Sequence, residues 1–164
     1  MKIYIIGPSG SGKTTLAKKL SKQYGIEHYE LDKIKYDDLN GHIKRTDQEI
    51  EQILNKILKK KSWIIEDVGR EIFIPGREAC DKIYYIKLSK VKILIRVVKR
   101  WFKQRFGKEP YNYPPTLWQF YDMIRVAFIY IKKEPSKIKS LEKYKDKLVY
   151  IDKGKLLELN DKLI

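Results

Sequence analysis

The sequence predicts an α/β fold of three layers, α/β/α, built on a mostly parallel five-stranded sheet. Three observations carry that expectation. Five short β-branched or aromatic runs are spread along 164 residues. Crossover segments of a dozen or more residues, several with helical periodicity, separate them. A glycine-rich segment stands between the first run and the first helical pattern. Strands joined by long crossovers pair in parallel and need helices to cover both faces. A chain of this length suits one core, so a single domain is expected across residues 1–164.

The elements follow in order. Lys2–Ile6 is a short, buried-type strand, and Thr14–Tyr24 carries Leu16, Ala17 and Leu20 at helical spacing, with Gly25 as its stop. Ile26–Leu31 reads as a second strand ending at Asp32. Residues 33–46 read as loop and irregular helix, broken by Asn40-Gly41. Thr46 precedes Asp47-Gln48-Glu49, a capping-box spacing. Ile50, Ile53, Leu54, Ile57 and Leu58 then form an apolar stripe ending in three lysines, which suit a helix C-terminus. Ser62–Glu66 is a third strand and Lys82–Leu88 a fourth, with a turn expected at Pro75-Gly76 between them. Residues 90–106 form a basic helix with Val91, Leu94, Ile95 and Val98 expected on its packed face. Gly107–Pro115 is a proline-bearing loop, Thr116–Lys133 a long helix, and Leu148–Ile151 a fifth strand.

Composition bounds the rest. The 36 Lys+Arg outnumber the 21 Asp+Glu, giving a net charge of +15. Such an excess attracts polyanions. The lysines are scattered along the whole chain, which favours a compositional bias over one dedicated nucleic-acid surface. No apolar run approaches the ~18 residues of a spanning helix. The run Ile3–Ile6 is also far short of the roughly 7–15 residues of a signal-peptide core. The one cysteine, Cys80, has no internal disulfide partner. A cytoplasmic chain without membrane contacts is expected. Cys80 itself reads as a small buried residue before a strand, and His28 and His42 lack partners at zinc-ligand spacing.

Gly7-Pro8-Ser9-Gly10-Ser11-Gly12-Lys13-Thr14 completes the pattern G-x-x-x-x-G-K-[ST] directly after a strand and at the start of a helix. Glycines let the backbone take positive φ and turn its N–H groups toward phosphate oxygens. The helix that follows points its positive dipole end at the same anion. Residues Gly7 to Thr15 are therefore the expected ATP site. Lys13 would reach the β/γ-phosphates, and the Thr14 hydroxyl would coordinate Mg²⁺. At the end of the third strand, Glu66 and Asp67 are both candidates for holding the Mg²⁺ water shell. Arg70 is a candidate contact for an acceptor or its phosphate. A salt bridge between these acids and Arg70, or a turn-forming role for Asp67, is the purely structural alternative.

On these residues the chain resembles the adenylate-kinase-like branch of P-loop NTPases. It has no Asn-Lys-x-Asp of the GTPases and only a short apolar run before its acidic pair. Nucleoside-monophosphate kinases carry Asp-Gly-[Phe/Tyr]-Pro-Arg at this strand end; Glu66-Asp67-Val68-Gly69-Arg70 keeps the first acid and the arginine. Over most of its length the chain is similar to the small bacterial topology-modulation proteins. The loop, Leu31-Asp32, Trp63-Ile-Ile before an acid, Ala79–Ile86 and the basic run Ile95–Arg105 carry that likeness. It departs from the Asp-Gly-Asn-Tyr usual after the third strand.

The resemblance implies phosphoryl transfer to a small acceptor, with a mobile basic lid near residues 89–115. Arg96, Arg100 and Arg105 occupy the lid's place. Arg100 is the first choice to meet the moving phosphate, because Arg96 lies nearer the packed start of its helix. Asp32 sits at the ligand edge of the sheet, where it would take a proton from an acceptor hydroxyl, help hold Mg²⁺, or cap the next segment. The aromatics among basic residues at 99–121 keep a second partner class, nucleic acid, open.

Overall fold

The structure is a computed structural model that describes residues 1–37, 43–107 and 116–152. In chain order its elements are β1 (Lys2–Ile6), α1 (Lys13–Tyr24), β2 (His28–Glu30), α2 (Leu31–Lys35), β3 (Tyr36–Asp37) and β4 (Ile43–Lys44). There follow α3 (Asp47–Leu58), β5 (Trp63–Asp67), α4 (Ile74–Ala79), β6 (Lys82–Ile86), α5 (Lys90–Arg105), α6 (Leu117–Leu141) and β7 (Leu148–Ile151). Short 3₁₀ turns occupy Glu71–Phe73 and Glu142–Lys147.

Five strands form one sheet in the order β2-β5-β1-β6-β7, and every neighbouring pair is parallel. Ile6 lies opposite both Asp67 and Tyr85, so β1, β5 and β6 end at one edge. Because side chains alternate along a strand, the two faces of β1 are buried in different clusters. Tyr4 and Ile6 join Trp63, Ile65 and Ile83 against Leu31, Ile50, Leu54, Ile57 and Phe73 of the α2–α4 layer. Ile3, Ile5 and Ile64 pack with Leu16, Ala17 and Leu20 of α1. A third cluster joins Ile93 and Val97 of α5 to Ala127 and Tyr130 of α6.

The predicted three-layer fold is thus present, and its capping box is too. The Thr46 backbone N–H donates to Glu49 Oε2 at 2.8 Å and the Glu49 N–H donates to Thr46 Oγ1 at 3.3 Å. Four expectations need correction. The second strand stops at Glu30, and Asp32 lies in the first turn of α2, where Leu31 and Ile34 bury one helical face. Residues 33–46 hold α2 and an antiparallel pair, β3 with β4, while Asn40-Gly41 lies outside the described residues. Pro75-Gly76 is no turn: it opens α4, since a proline in a helix's first turn lacks only an N–H that would have had no partner there. The last helix runs past Lys133 and through Pro135 to Leu141. Leu141 is fully buried in the main core and Ile138 packs against it, and that burial outweighs the lost hydrogen bond. Most of the expected loop Gly107–Pro115 lies outside the described residues.

Gly76 shows how tight the α4 contact is. A Cβ there would stand 2.8 Å from Cε2 of Tyr4, whose ring is fully buried. Gly76→Ala is expected to destabilise the fold by about 1–3 kcal/mol, lowering the melting temperature by several degrees in a thermal scan. Gly25 ends α1 at φ +64° with nothing within 4 Å of an added Cβ, so Gly25→Ala bears only backbone strain of about 1 kcal/mol. Equal losses for the two variants would contradict the packing assigned to Gly76.

Candidate functional site

The loop between β1 and α1 wraps the helix start with Gly10 at φ 69° and Gly12 at φ 96°, conformations that favour glycine. Gly7 is held by contact: a Cβ would come within 2.9 Å of Ser11 Oγ and 3.1 Å of the Ile86 carbonyl oxygen. Lys13, in the first turn of α1, is buried and donates from Nζ to the Pro8 carbonyl at 2.9 Å. Burial lowers the Lys13 pKa, and the carboxylates of Glu66, Asp32 and Asp67 oppose that fall.

The Thr14 hydroxyl donates to Glu66 Oε1 at 2.6 Å. Glu66 is 5% exposed, and its second oxygen, Oε2, is buried without a hydrogen-bond partner. Burial raises the Glu66 pKa, while the Thr14 hydrogen bond and Lys13 counter it. Thr14 spends its proton on Glu66 and keeps its lone pairs. A hydroxyl and a buried carboxylate with an unused oxygen are the hard donors that Mg²⁺ selects, so these two residues fit that ion.

Asp67 is built differently. Its Oδ2 accepts from the backbone N–H of Gly69 at 2.7 Å and of Arg70 at 2.6 Å, and its Oδ1 accepts from Arg70 Nη1 at 2.8 Å. The carboxylate is thereby committed to the turn after β5. Arg70 Nη2 also donates to Asp32 Oδ1, giving a chain Asp32–Arg70–Asp67 on the side of β5 away from α1. Both acids lie close enough to raise the Arg70 pKa despite the opposing effect of burial.

Opposite the loop stands α5. Arg96 Nη1 donates to the Gly10 carbonyl at 2.6 Å, and Arg100 Nη1 donates to Ser9 Oγ at 3.0 Å. A cavity of about 460 Å³ between them is lined by Gly10–Thr15 and by Arg96, Lys99, Arg100 and Lys103. Five cationic side chains and no carboxylate line it. Arg105 is exposed outside that lining.

The expected packed face of α5 is corrected here. Ile93, Val97, Trp101 and Gln104 are the buried positions, whereas Val91 and Ile95 are exposed. This rotation turns 96, 99, 100 and 103 toward the loop, and Arg96 reaches it as directly as Arg100. Lys99 was missed, and Lys103 was read only as part of the basic side of the helix, although their spacing with Arg96 and Arg100 is that of one helical face. Arg77 was missed altogether: it is buried and donates from Nη2 to the Arg70 carbonyl at 2.6 Å. Lys137 of α6 was missed as well, and burial lowers its pKa to about 8. Neither has a signal in the local sequence. Cys80 is buried and donates to the Arg77 carbonyl at 3.1 Å, and burial raises its thiol to about 11. Among the aromatics, Trp101 is buried while Phe102, Trp118 and Tyr121 are exposed, and Tyr111 and Tyr113 lie outside the described residues.

A glycine-rich loop on a central parallel strand, a lysine and threonine at the helix start and a carboxylate on the adjacent strand define a P-loop NTPase fold. Comparison with known proteins agrees. A family model for the ATPase family associated with various cellular activities (AAA) matches residues 3–73. An adenylate kinase of Wigglesworthia glossinidia brevipalpis is 27% identical over 162 residues, covering 91% of this chain and 70% of that protein. A shikimate kinase structure from Bacteroides thetaiotaomicron superposes with a TM-score of 0.59 at 12% identity, covering 99% of this chain and 96% of that one. A gluconokinase structure from Sinorhizobium meliloti 1021 gives 0.53 at 14% identity, covering 92% and 81%. The fold is therefore one shared with small-molecule kinases. Among the described residues no helix is long and apolar enough to cross a membrane.

The raised Glu66 pKa has a stability consequence. The folded state holds its proton to higher pH than the unfolded chain does, so stability falls as pH rises from about 4.5 through the folded pKa. Glu66→Gln removes that loss. Its melting temperature at neutral pH is expected to equal or exceed that of the parent, with a flatter pH profile above 4.5. A variant that melts lower and keeps the parent's pH slope would show that Glu66 is stabilised as the anion.

Proposed function

We propose that this chain transfers the γ-phosphoryl group of ATP, with Mg²⁺, to a small acceptor bearing a hydroxyl or phosphate, a nucleoside or nucleotide being the first class to test. The observation that carries the reading is the division of the site by β5. On one side the Thr14–Glu66 pair sits beside Lys13 under the arginine-bearing face of α5. On the other, Asp32 and Arg70 form a carboxylate–guanidinium pair. Kinase chemistry needs such a division, with a cationic cradle for the donor and a polar site for the acceptor.

In this reading the loop amides and Lys13 bind the β- and γ-phosphates. Thr14 and Glu66 would hold Mg²⁺, which would supply positive charge against the phosphates of the donor. Arg100 and Arg96 meet the negative charge of the group in transfer. The bond between the γ-phosphorus and the β–γ bridging oxygen breaks as the bond from the acceptor oxygen forms, and ADP leaves. With a hydroxyl acceptor, the proton passes to Asp32, which is well exposed. Arg70 holds the acceptor or its phosphate. The adenylate kinase relative supports a nucleotide acceptor, and the shikimate kinase and gluconokinase folds support small hydroxylated acids as the next panel. A second reading, a nucleotide-dependent regulator that contacts nucleic acid, rests on the net charge of +15.

An acceptor screen separates the two. Nucleosides, nucleoside monophosphates and small hydroxy acids are each incubated with the protein and Mg·ATP, and ADP release is measured. One acceptor is expected to raise release well above the rate in water, and Lys13→Ala to abolish both this and the thermal stabilisation by Mg·ATP. Hydrolysis stimulated by DNA and by no small acceptor would reverse the choice.

The arginines give a sharper test. Arg100→Ala is expected to lower kcat by roughly 10²–10³ with a smaller change in KM for ATP, because the charge it meets develops in the transition state. Lysine at 100 rescues poorly, since one ammonium does not reproduce the planar fork. Arg105→Ala, outside the cavity, stays near the parent. Equal, modest and salt-dependent losses at 96, 100 and 105 would instead make α5 an electrostatic funnel.

A further inference from the structure

The turn after β5 has a support that the kinase reading leaves unused. Lys137, 69 residues beyond Val68, donates from Nζ to the Val68 carbonyl at 2.7 Å. Its ammonium also lies 4.2 Å from the centroid of the Tyr130 ring. Its stem runs along Gly69, which sits at φ +87°: a Cβ there would fall 3.6 Å from Lys137 Cδ. The remaining polar groups of the turn are held from elsewhere. Asp67 accepts the Gly69 and Arg70 N–H groups, and Arg77 of α4 donates to the Arg70 carbonyl. Three separate elements therefore fix the backbone on which Arg70 stands. Of the three, α6 also packs against the basic helix α5, through Ala127 and Tyr130.

We propose that Lys137 is a positioning residue: by holding the Val68 carbonyl it sets the turn that aims Arg70 at Asp32, and it ties that acceptor-side pair to the helix layer covering the phosphate loop. Its effect on the backbone stands by itself, and its effect on acceptor binding rests on the kinase reading. Without the ammonium, the Val68 carbonyl faces a part-buried surface with its donor gone, and the turn samples other conformations. Arg70 then meets Asp32 in only a fraction of molecules, and acceptor affinity falls by that fraction.

The test uses the full chain in three forms: parent, Lys137→Met and Lys137→Arg, with Lys133→Met as a control for loss of charge. Hydrogen exchange is followed by mass spectrometry on peptides spanning 67–73 and on peptides from β1. Lys137→Met is expected to speed exchange at the Gly69 and Arg70 amides by about fivefold to tenfold, the effect of losing one hydrogen bond, with β1 unchanged. Lys137→Arg, which can still donate to Val68 and lie on the Tyr130 ring, recovers most of the protection, and Lys133→Met matches the parent. With an acceptor in hand, Lys137→Met raises its KM while KM for ATP holds. Unchanged exchange in 67–73, or an equal rise in β1, overturns the proposal. Should Lys137→Met not fold, Lys137→Leu, which likewise removes the donor, bears the same comparison. Local loosening in a protein whose parent phosphorylates no acceptor upholds the role of Lys137 and removes the kinase reading instead.

Discussion

At the end of β5 two consecutive acids cannot serve the same partner, because the pleat of a strand sends neighbouring side chains to opposite faces. Glu66 shares its face with Ile64, which packs against α1, so its carboxylate arrives at the Thr14 hydroxyl. Asp67 shares its face with Trp63 and Ile65, and emerges on the far side, where it shapes the turn leading to Arg70. Parallel pairing with β1 sets the height of both, since Ile6 is opposite Asp67 just before the phosphate loop begins. Slipping this register by one residue would exchange the two acids between faces and undo both halves of the site.

The same site sets groups of opposite charge under opposing stress. Glu66 and Lys13 are both buried, and burial acts against the charged form of each. Each is relieved partly by the other and, for Glu66, by a charge-assisted hydrogen bond, a class contributing about 1.5–3 kcal/mol. The cost of desolvating these groups is borne by a well-packed core on both sheet faces. A site of this kind is preorganised: its dipoles and charges are oriented before any ligand arrives.

Helix α5 draws its position from a small apolar seam. Ile93, Val97 and Trp101 recur every four residues and bury against α6, with Trp101 Nε1 donating to the Thr116 carbonyl at 3.2 Å. That seam leaves the arginines and lysines of the opposite quarter facing the loop. The net charge of +15 is thus no uniform coat. Part of it is gathered by one helical face into a cavity lined by no acid, where the field of the cations is focused.

The layers, the five strands, the capping box at Thr46 and the phosphate loop were all legible in the sequence, because each rests on local pattern: alternation, helical period, or glycine where φ turns positive. The parity separating Glu66 from Asp67 was legible in principle too, through Ile64 and Ile65. The packed side of α5 was not. Val91, Leu94, Ile95 and Val98 make as good a stripe as Ile93, Val97 and Trp101, and only α6 selects between them. Nor could local preference place Pro75-Gly76 in a helix or carry α6 through Pro135, where burial of Leu141 against the sheet overrides it. What the sequence by itself determined is the fold class and the glycine-built shape of the loop between β1 and α1, with φ positive at Gly10 and Gly12. Tertiary structure alone decided that Asp32, Arg77 and Lys137 converge on the turn that carries Arg70, because they come from three separate elements whose meeting depends on packing and not on any spacing along the chain.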